Sequence, residues 1–164
     1  MDRTTIAPAR GELRSDGPSA TRAIGRSLGR EARPGTLIAL LGELGAGKTQ
    51  LAKGVAEGLD VPSVVNSPTF VLMNEHVGRL RLYHVDAYRL AQPEEALDAG
   101  LIEDRQSDGV VVVEWADRLE GWLPADRLEI TIRGDGADPM ARTLRWAASG
   151  SAHARLADAA LEPR

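Results

Sequence analysis

The sequence predicts a single α/β domain, and three patterns support that prediction. The apolar run 36–41 leads into a glycine-rich turn that begins at Gly42 and is followed by a helical segment. Residues 110–113 are all valine, which is typical of a strand buried on both faces of a parallel sheet. Residues 127–133 and 141–146 alternate apolar and polar side chains, as antiparallel strands do. We therefore predict a three-layer α/β/α domain with a mixed, mainly parallel sheet and antiparallel hairpins.

The composition is that of an ordinary globular protein and excludes several classes of protein. The 164 residues are 43% apolar and 27% charged, which suits one domain, 1–164, with a sizeable core. Without cysteine, the chain forms no disulfide or thiolate metal site. No apolar run approaches the length of a membrane span, about 20 residues, and the first residues lack the apolar segment of a secretory signal. We therefore expect a cytoplasmic protein without membrane contacts. The net charge of −4 argues against a surface coated in positive charge for nucleic-acid binding, so no DNA partner is expected, although a local basic face stays open.

The chain before the glycine-rich turn is predicted to begin loosely and then form one helix. Residues 1–18 mix prolines, glycines and charges, so we expect partial disorder, with a short strand at 4–7 as one option. Ser19 suits the N-cap of a helix over 20–32, and Pro34-Gly35 ends it. The predicted inner stripe of this helix consists of Ala23, Ile24, Ser27 and Leu28.

The rest of the chain is predicted to form a hairpin, a short helix and a final helix around the buried strands. Residues 69–73 and 80–85 resemble two strands joined across 74–79, with Gly78 in the turn. A short helix begins at Pro93 and ends at Gly100. The last helix, 151–161, is alanine-rich and has Leu156 and Leu161 as its inner contacts.

The glycine-rich turn, residues 42–49, fits the pattern G-x-x-x-x-G-K-[ST] of a phosphate-binding P-loop. Gly42, Gly45 and Gly47 allow backbone conformations in which successive N–H groups turn inward around an anion. Lys48 would place its ammonium against the β- and γ-phosphates, and Thr49 would offer its hydroxyl to Mg²⁺. The domain is therefore predicted to be a P-loop NTPase.

Two acidic residues follow predicted strands and are candidates for metal binding and catalysis. Nucleotide chemistry usually needs a carboxylate at the end of a buried strand beside the P-loop. Glu114 ends the valine strand, and three roles remain open for it. It could bind the metal directly, bind it through a water molecule, or orient the attacking water. Asp86 ends the strand at 80–85, and the alternative to a functional role for it is that of an N-cap or turn residue.

Four further residues near these motifs have more than one reading. Thr69 lies where nucleotide switches often carry a γ-phosphate-sensing threonine, although the pattern alone favours an ordinary hydroxyl turn. His84 is more typical of packing or hydrogen bonding than of catalysis. Arg89 suits either an ion pair with an acid or a phosphate contact. Trp115 is more typical of packing or an interface than of nucleotide stacking.

These motifs, in this order, resemble the bacterial TsaE (YjeE) family, the P-loop ATPase of tRNA threonylcarbamoyladenosine biosynthesis. The likeness covers roughly residues 19–133, and the family usually has aspartate where Glu43 stands. The family often carries Gly-Arg in its late hairpin, where this chain has Asp138-Pro139, so the resemblance supports no nucleotide contact from that loop. The matching stretches are 42–49, 67–70, 83–90, 100–101 and 113–115, with Ala20, Thr21 and Gly25 in the first helix.

The resemblance implies an ATPase that binds ATP and Mg²⁺, is weakly active alone, and works with TsaB and TsaD subunits, through which it reaches tRNA. It implies catalytic roles for Lys48, Asp86, Glu114 and a switch role for Thr69. The implied metal positions are Thr49, Glu114 and Asp86. The nucleotide positions are Gly42, Gly45, Ala46, Gly47, Lys48, Thr49, Gln50 and Thr21, the last near the adenine.

Two alternative functions are compatible with a P-loop. A small-molecule kinase should carry an arginine-bearing lid and an acceptor pocket, whereas the long insert of this chain is the predicted hairpin at 70–85. A nucleotide-gated scaffold that never splits ATP would have little use for Asp86 and Glu114. No arginine finger is identifiable in the sequence, which agrees with slow turnover by the chain alone.

Overall fold

The structure is a computed structural model that describes residues 9–43, 45, 47–62, 73–88, 90, 92, 94, 107–119 and 121–162. Within these residues lie three α-helices, α1 (Pro18–Glu31), α2 (Lys48–Gly58) and α3 (Ser151–Leu161), and a 3-10 helix, Ala116–Leu119. The strands are β1 (Ala9–Ser15), β2 (Thr36–Leu41), β3 (Met73–Val77), β4 (Arg81–Asp86), β5 (Val110–Glu114), β6 (Arg127–Gly134) and β7 (Arg142–Ser149).

The seven strands form one mixed sheet in the order β1-β7-β6-β2-β5-β4-β3. The central strand β2 runs parallel to both β5 and β6, and β4 runs parallel to β5. Both sides of the sheet are antiparallel, through the pairs β3–β4, β6–β7 and β1–β7. The predicted mixed α/β sheet with antiparallel hairpins is therefore confirmed.

The three helices pack on one face of the sheet and build the larger core. Alternate residues of β2 explain the division, because Ile38 and Leu40 join the helix-side core while Leu37 and Ala39 join a smaller cluster on the opposite face. That second cluster contains Leu119 of the 3-10 helix. The short helix predicted between Pro93 and Gly100 lies outside the described residues. No described helix has the length and apolar character that crossing a membrane requires.

Helices α1 and α2 touch backbone to backbone through glycines. A Cβ added to Gly25 would lie 2.9 Å from Gly54 Cα and even closer to the carbonyl oxygen of Leu51. Gly29 and Gly58 repeat this contact one turn further along. Because the two helices are so close, α1 is fixed directly against the helix that follows the glycine-rich loop.

The start of the chain differs from its sequence-based description. Part of the segment predicted to be partly disordered is strand β1, which pairs antiparallel with β7; the strand option at 4–7 lies outside the described residues. Helix α1 begins at Pro18 after the N-cap Gly17, and not after Ser19, because proline suits the first turn of a helix. The predicted inner stripe is confirmed for Leu28, which is fully buried, and for Ile24, which is partly buried against the core. The sequence missed the buried small residues Thr21, Gly25 and Gly29, which close packing of the helix requires.

The hairpin is present but its first strand extends further than predicted. Residues 74–77, predicted as the connection, belong to β3 and pair with β4 in the register His76–Leu82. The strand is at the edge of the sheet, where polar residues such as Asn74 are tolerated, so its sequence lacks an apolar signal. Predicted strand residues 69–72 lie outside the described part of the chain.

Candidate phosphate-binding site

The glycine-rich loop lies at the carboxyl edge of the parallel strands, between β2 and α2. Ligands of open α/β sheets bind at this edge. Strands β4 and β5 end at the same edge, with Asp86 directly opposite Glu114 in the register. The fold therefore brings together the loop and the two acidic residues that the sequence singled out.

The backbone of the loop has the conformations that its glycines were predicted to supply. The φ angles of Gly42, Gly45 and Gly47 are +142°, +80° and +111°, values that residues with a Cβ rarely adopt. Gly47 is the N-cap of α2, and no side chain caps this helix start. The first N–H groups of a helix have no acceptor within it, so this end favours an anion. Ala46 lies outside the described residues.

Lys48 is buried, with 4% of its surface exposed, and its ammonium is held by the loop itself. Nζ donates hydrogen bonds to the carbonyl oxygens of Gly42 (2.6 Å) and Glu43 (2.8 Å). The same atom lies 4.0 Å from the centre of the Trp115 ring, a cation–π contact. Burial lowers the pKa of Lys48, and the negative charges of Glu114, Asp117 and Asp86 oppose that effect.

Thr49, Glu114 and His84 form a chain of hydrogen bonds. The Thr49 hydroxyl donates to Glu114 Oε1 at 3.0 Å, and His84 Nε2 lies 2.5 Å from Glu114 Oε2. Glu114 is 2% exposed and His84 is fully buried. A buried carboxylate is tolerated only when hydrogen bonds replace its water, and these two contacts do so.

Asp86 acts as a turn residue, one of the two roles that the sequence left open. Its Oδ1 accepts a hydrogen bond from the main-chain N–H of Tyr88 at 2.9 Å. The side chain remains close enough to the loop for its charge to raise the pKa of Lys48. The structure thus adds a local role for Asp86 without separating it from the site.

Trp115 covers the lysine and carries an unusual backbone conformation. Its φ is +58°, which is rare for a bulky residue. The Trp115 ring packs against Tyr88 with centroids 4.9 Å apart, and the Arg118 guanidinium lies 5.8 Å from the Tyr88 ring. The packing role expected for Trp115 is therefore seen. Its contact with Lys48 joins two motifs that are far apart in the sequence, and no local pattern predicts it.

The late hairpin reaches the site through residues that sequence reasoning missed. Arg142 Nη2 donates to the Gly45 carbonyl at 3.4 Å, while Nη1 is held by the carbonyls of Pro139 (2.7 Å) and Ala141 (2.8 Å). This contact joins the late hairpin to the glycine-rich loop, and the expectation about nucleotide contacts from Asp138-Pro139 stays a prediction. Strand β6 runs parallel to β2, so the turn after β6 must lie at the carboxyl edge, beside the glycine-rich loop. The direction of β6 is therefore the feature from which a contact between this turn and the loop could have been predicted.

Two hollows adjoin the loop. A cleft of about 950 Å³ lies beside the loop. Its lining includes Gly42, Glu43, Gly45, Trp115 and Asp117 on one side and Arg133 and Arg142 on the other. A smaller hollow of about 110 Å³ is lined by Pro18, Thr21, Gly45, Gly47, Gln50, Met140 and Arg142. Two predicted nucleotide residues, Thr21 and Gln50, therefore lie beside the loop.

The Thr21 hydroxyl is held in place by a hydrogen bond to Ser15. Ser15 Oγ donates to the Gly17 carbonyl at 2.8 Å, so the 2.7 Å contact between Ser15 and Thr21 must be donated by Thr21. Thr21 is 2% exposed. The start of α1 is thereby tied to the end of β1.

Thr69 and Arg89 lie outside the described residues.

The donor groups at the loop suit a magnesium ion that also contacts a ligand. Mg²⁺ prefers oxygen ligands and is usually held by one or two carboxylates together with phosphate oxygens. Thr49 and Glu114 supply neighbouring oxygens of this kind. Within the described ranges no three histidine or acidic side chains converge on a metal position by themselves.

The strand order and the connection from β2 to α2 define an α/β protein with a glycine-rich loop at the carboxyl edge of a mixed sheet. Residues 15–144 match the family described as "Threonylcarbamoyl adenosine biosynthesis protein TsaE". The chain therefore belongs to the TsaE family, as its motifs predicted.

Relatives in other bacteria extend this likeness over most of the chain. The chain is 42% identical to the tRNA threonylcarbamoyladenosine biosynthesis protein TsaE of Bacillus subtilis over 146 residues, 88% of this chain and 90% of that protein. It is 42% identical to the Streptomyces coelicolor protein of the same name over 125 residues, 73% of this chain and 84% of that one. The crystal structure of Bacillus subtilis YdiB aligns with a TM-score of 0.71 at 34% identity, covering 92% of this chain and 93% of that one.

Proposed function

We propose that this chain binds ATP with Mg²⁺ and hydrolyses it in support of threonylcarbamoyladenosine formation in tRNA. The observation that carries the proposal is the contact of 3.0 Å between Thr49 Oγ1 and Glu114 Oε1 at the start of α2. A hydroxyl and a carboxylate thus lie beside a loop that has glycines at positive φ and a buried lysine, features that support phosphate binding. The family membership supports the role in tRNA modification.

In this proposal the phosphates lie against the N–H groups of the loop, including Ala46, and Lys48 moves from the Gly42 and Glu43 carbonyls to the β- and γ-phosphates. The base occupies the hollow beside Thr21, Gln50 and Met140, which opens next to the loop. This places the triphosphate at the helix start, where the helix dipole and the lysine charge both stabilise it.

Thr49, Glu114 and Asp86 hold the metal in this proposal. When bound, Mg²⁺ neutralises charge on the β- and γ-phosphate oxygens. A water oxygen attacks the γ-phosphorus while the bond to the β–γ bridging oxygen breaks, and ADP and phosphate leave. Either Glu114 or Asp86 orients that water, and Lys48 stabilises the charge that develops on the bridging oxygen. Thr69 is proposed to sense the γ-phosphate.

The chain is proposed to act in the cytoplasm with TsaB and TsaD type subunits and to contact tRNA through that complex. Its relatives are tRNA threonylcarbamoyladenosine biosynthesis proteins, which supports this setting. Among the described residues, Arg142 is the arginine that contacts the loop, and its guanidinium is occupied by main-chain carbonyls. We propose slow hydrolysis by the chain alone and faster hydrolysis with its partners, since an arginine already occupied in this way is not placed to stabilise the transition state.

The test compares phosphate release by wild type, Lys48→Ala and Glu114→Ala, with and without the purified partner pair and unmodified tRNA. We expect both variants to lose at least about 100-fold in rate, because each removes a group that stabilises the transition state. Lys53→Ala is the matched control, since Lys53 is the chain's other lysine and lies on the same helix. Equal rates in all four proteins would contradict the proposal.

The same assay separates the two alternative functions. A small-molecule kinase would yield a phosphorylated acceptor in place of free phosphate. A scaffold would bind ATP but release no phosphate even with the partner pair present. We expect phosphate release that needs no acceptor.

A further inference from the structure

His84 lies directly behind Glu114, inside the sheet. It is the fourth residue of β4, and its neighbours Tyr83 and Val85 belong to the core cluster on the opposite face. Because side chains alternate along a strand, His84 points to the face that carries the helices. It is fully buried there, and β4 runs beside β5, which ends in Glu114.

The two oxygens of Glu114 face different partners. Oε1 accepts from the Thr49 hydroxyl, at the loop, while Oε2 lies 2.5 Å from His84 Nε2. An ionised carboxylate only accepts hydrogen bonds, so Nε2–H is the donor. The other ring nitrogen, Nδ1, is buried and has no hydrogen-bond partner among the described residues. The contact with Glu114 is therefore the polar interaction that accounts for a histidine at this position.

We propose that His84 is a positioning residue that holds the Glu114 carboxylate with Oε1 turned toward Thr49 and the magnesium position. The inference rests on the proposed function. A glutamate side chain has three rotatable bonds, so one anchored oxygen fixes where the other points. Groups that hydrogen-bond a metal ligand from behind typically change metal affinity about 10- to 100-fold when they are removed.

A purely structural role makes a different prediction. If His84 only filled the core, an apolar residue of similar volume would alter the stability of the fold and leave the response to Mg²⁺ unchanged. Two polar replacements add a geometric criterion. Glutamine carries an N–H donor at about the reach of Nε2, whereas the amide of asparagine stops short of Glu114.

The experiment measures the calorimetric affinity for ADP over a range of Mg²⁺ concentrations and in EDTA. For His84→Leu and His84→Asn we expect the Mg²⁺ concentration of half-maximal effect to rise about 10- to 100-fold, with the affinity in EDTA unchanged. His84→Gln should return the Mg²⁺ dependence to near wild type. His153→Leu is the control, because it removes a buried histidine that bonds the Leu37 N–H at the opposite end of β2.

The outcomes separate the inference from the function on which it rests. If the wild type binds no ADP, or if its ADP affinity does not change with Mg²⁺ concentration, both the positioning role and the proposed function are overturned. A normal Mg²⁺ response in the wild type together with an unchanged response in His84→Leu and His84→Asn would overturn the positioning role alone. Should His84→Leu fail to fold, the comparison of His84→Asn with His84→Gln decides the question.

Discussion

At the scale of single residues, the site depends on backbone conformations that side chains disfavour. Gly47 has a φ of +111°, and a Cβ built on it would meet nothing nearer than a Thr21 methyl at 3.8 Å. Space is therefore not what requires glycine here. The requirement is the conformation itself, which turns the first N–H groups of α2 toward the position of a phosphate.

Gly47→Ala is expected to destabilise the loop by about 1 to 3 kcal/mol, the usual strain of a side chain in such a conformation. Because the strain is relieved when the loop changes shape, nucleotide affinity should fall as well. Gly134→Ala is the matched control: it adds the same methyl in open space at the end of β6, without a strained φ. Urea unfolding and ADP titration measure the two effects. A Gly47→Ala protein indistinguishable from Gly134→Ala would contradict this account.

At the scale of elements, the contact between α1 and α2 determines the shape of the site. The glycines at this contact leave no room for a side chain, and Glu57 of α2 pairs with Arg22 and Arg26 of α1 across it. Arg79, from the tip of the β3–β4 hairpin, donates to the carbonyls of Gly29 and Ala32 at the end of α1. Helix α1, which carries Thr21, is thus held at both ends.

Gly25→Ala tests that contact. The added methyl would meet the backbone of α2, so the helices must separate, and overpacking of this kind typically costs about 1 to 3 kcal/mol. We expect a lower urea midpoint and weaker nucleotide binding, because Thr21 moves away from the loop. Both readouts are compared with Gly134→Ala. Unfolding at the wild-type midpoint would show that the two helices have more freedom than their geometry indicates.

At the scale of the whole molecule, a buried histidine links the stability of the fold to pH. His153 Nε2 accepts the Leu37 N–H at 3.0 Å, which ties α3 to β2 and requires an unprotonated nitrogen. Burial lowers the pKa of His153, opposed by the charge of Asp126, and burial also lowers the pKa of His76. The unfolded chain, with an ordinary histidine pKa of about 6.5, therefore binds protons before the folded one does.

The contribution of these histidines to the free energy of unfolding should consequently be fully present above about pH 6.5. It should fall as the pH drops from there toward the lowered pKa of the folded state. Urea titrations at about pH 8 and about pH 5 measure the difference. In His153→Gln the fall should be smaller, because one of the contributing histidines is gone. A variant that loses as much stability on acidification as the wild type would exclude His153 as a cause.

The sequence predicts those parts of the molecule that depend on local patterns. The valine strand β5 and the glycine-rich loop carry their signals within a few residues, and both lie where they were predicted. Strand β3 lacks such a signal, since an edge strand tolerates polar residues. The contacts of Arg142 with Gly45 and of His84 with Glu114 depend on the register of distant strands, so single-residue properties could not reveal them.

The pairing of β1 with β7 has a consequence for the order in which the molecule folds. Residues 9–15 align with residues 142–148, the longest sequence separation in the sheet. During synthesis the ribosome releases β1 more than a hundred residues before its partner, at about 5–20 residues per second. Residues 9–15 therefore remain without their sheet partner for several seconds, and β1 joins the sheet only after β7 has been synthesised.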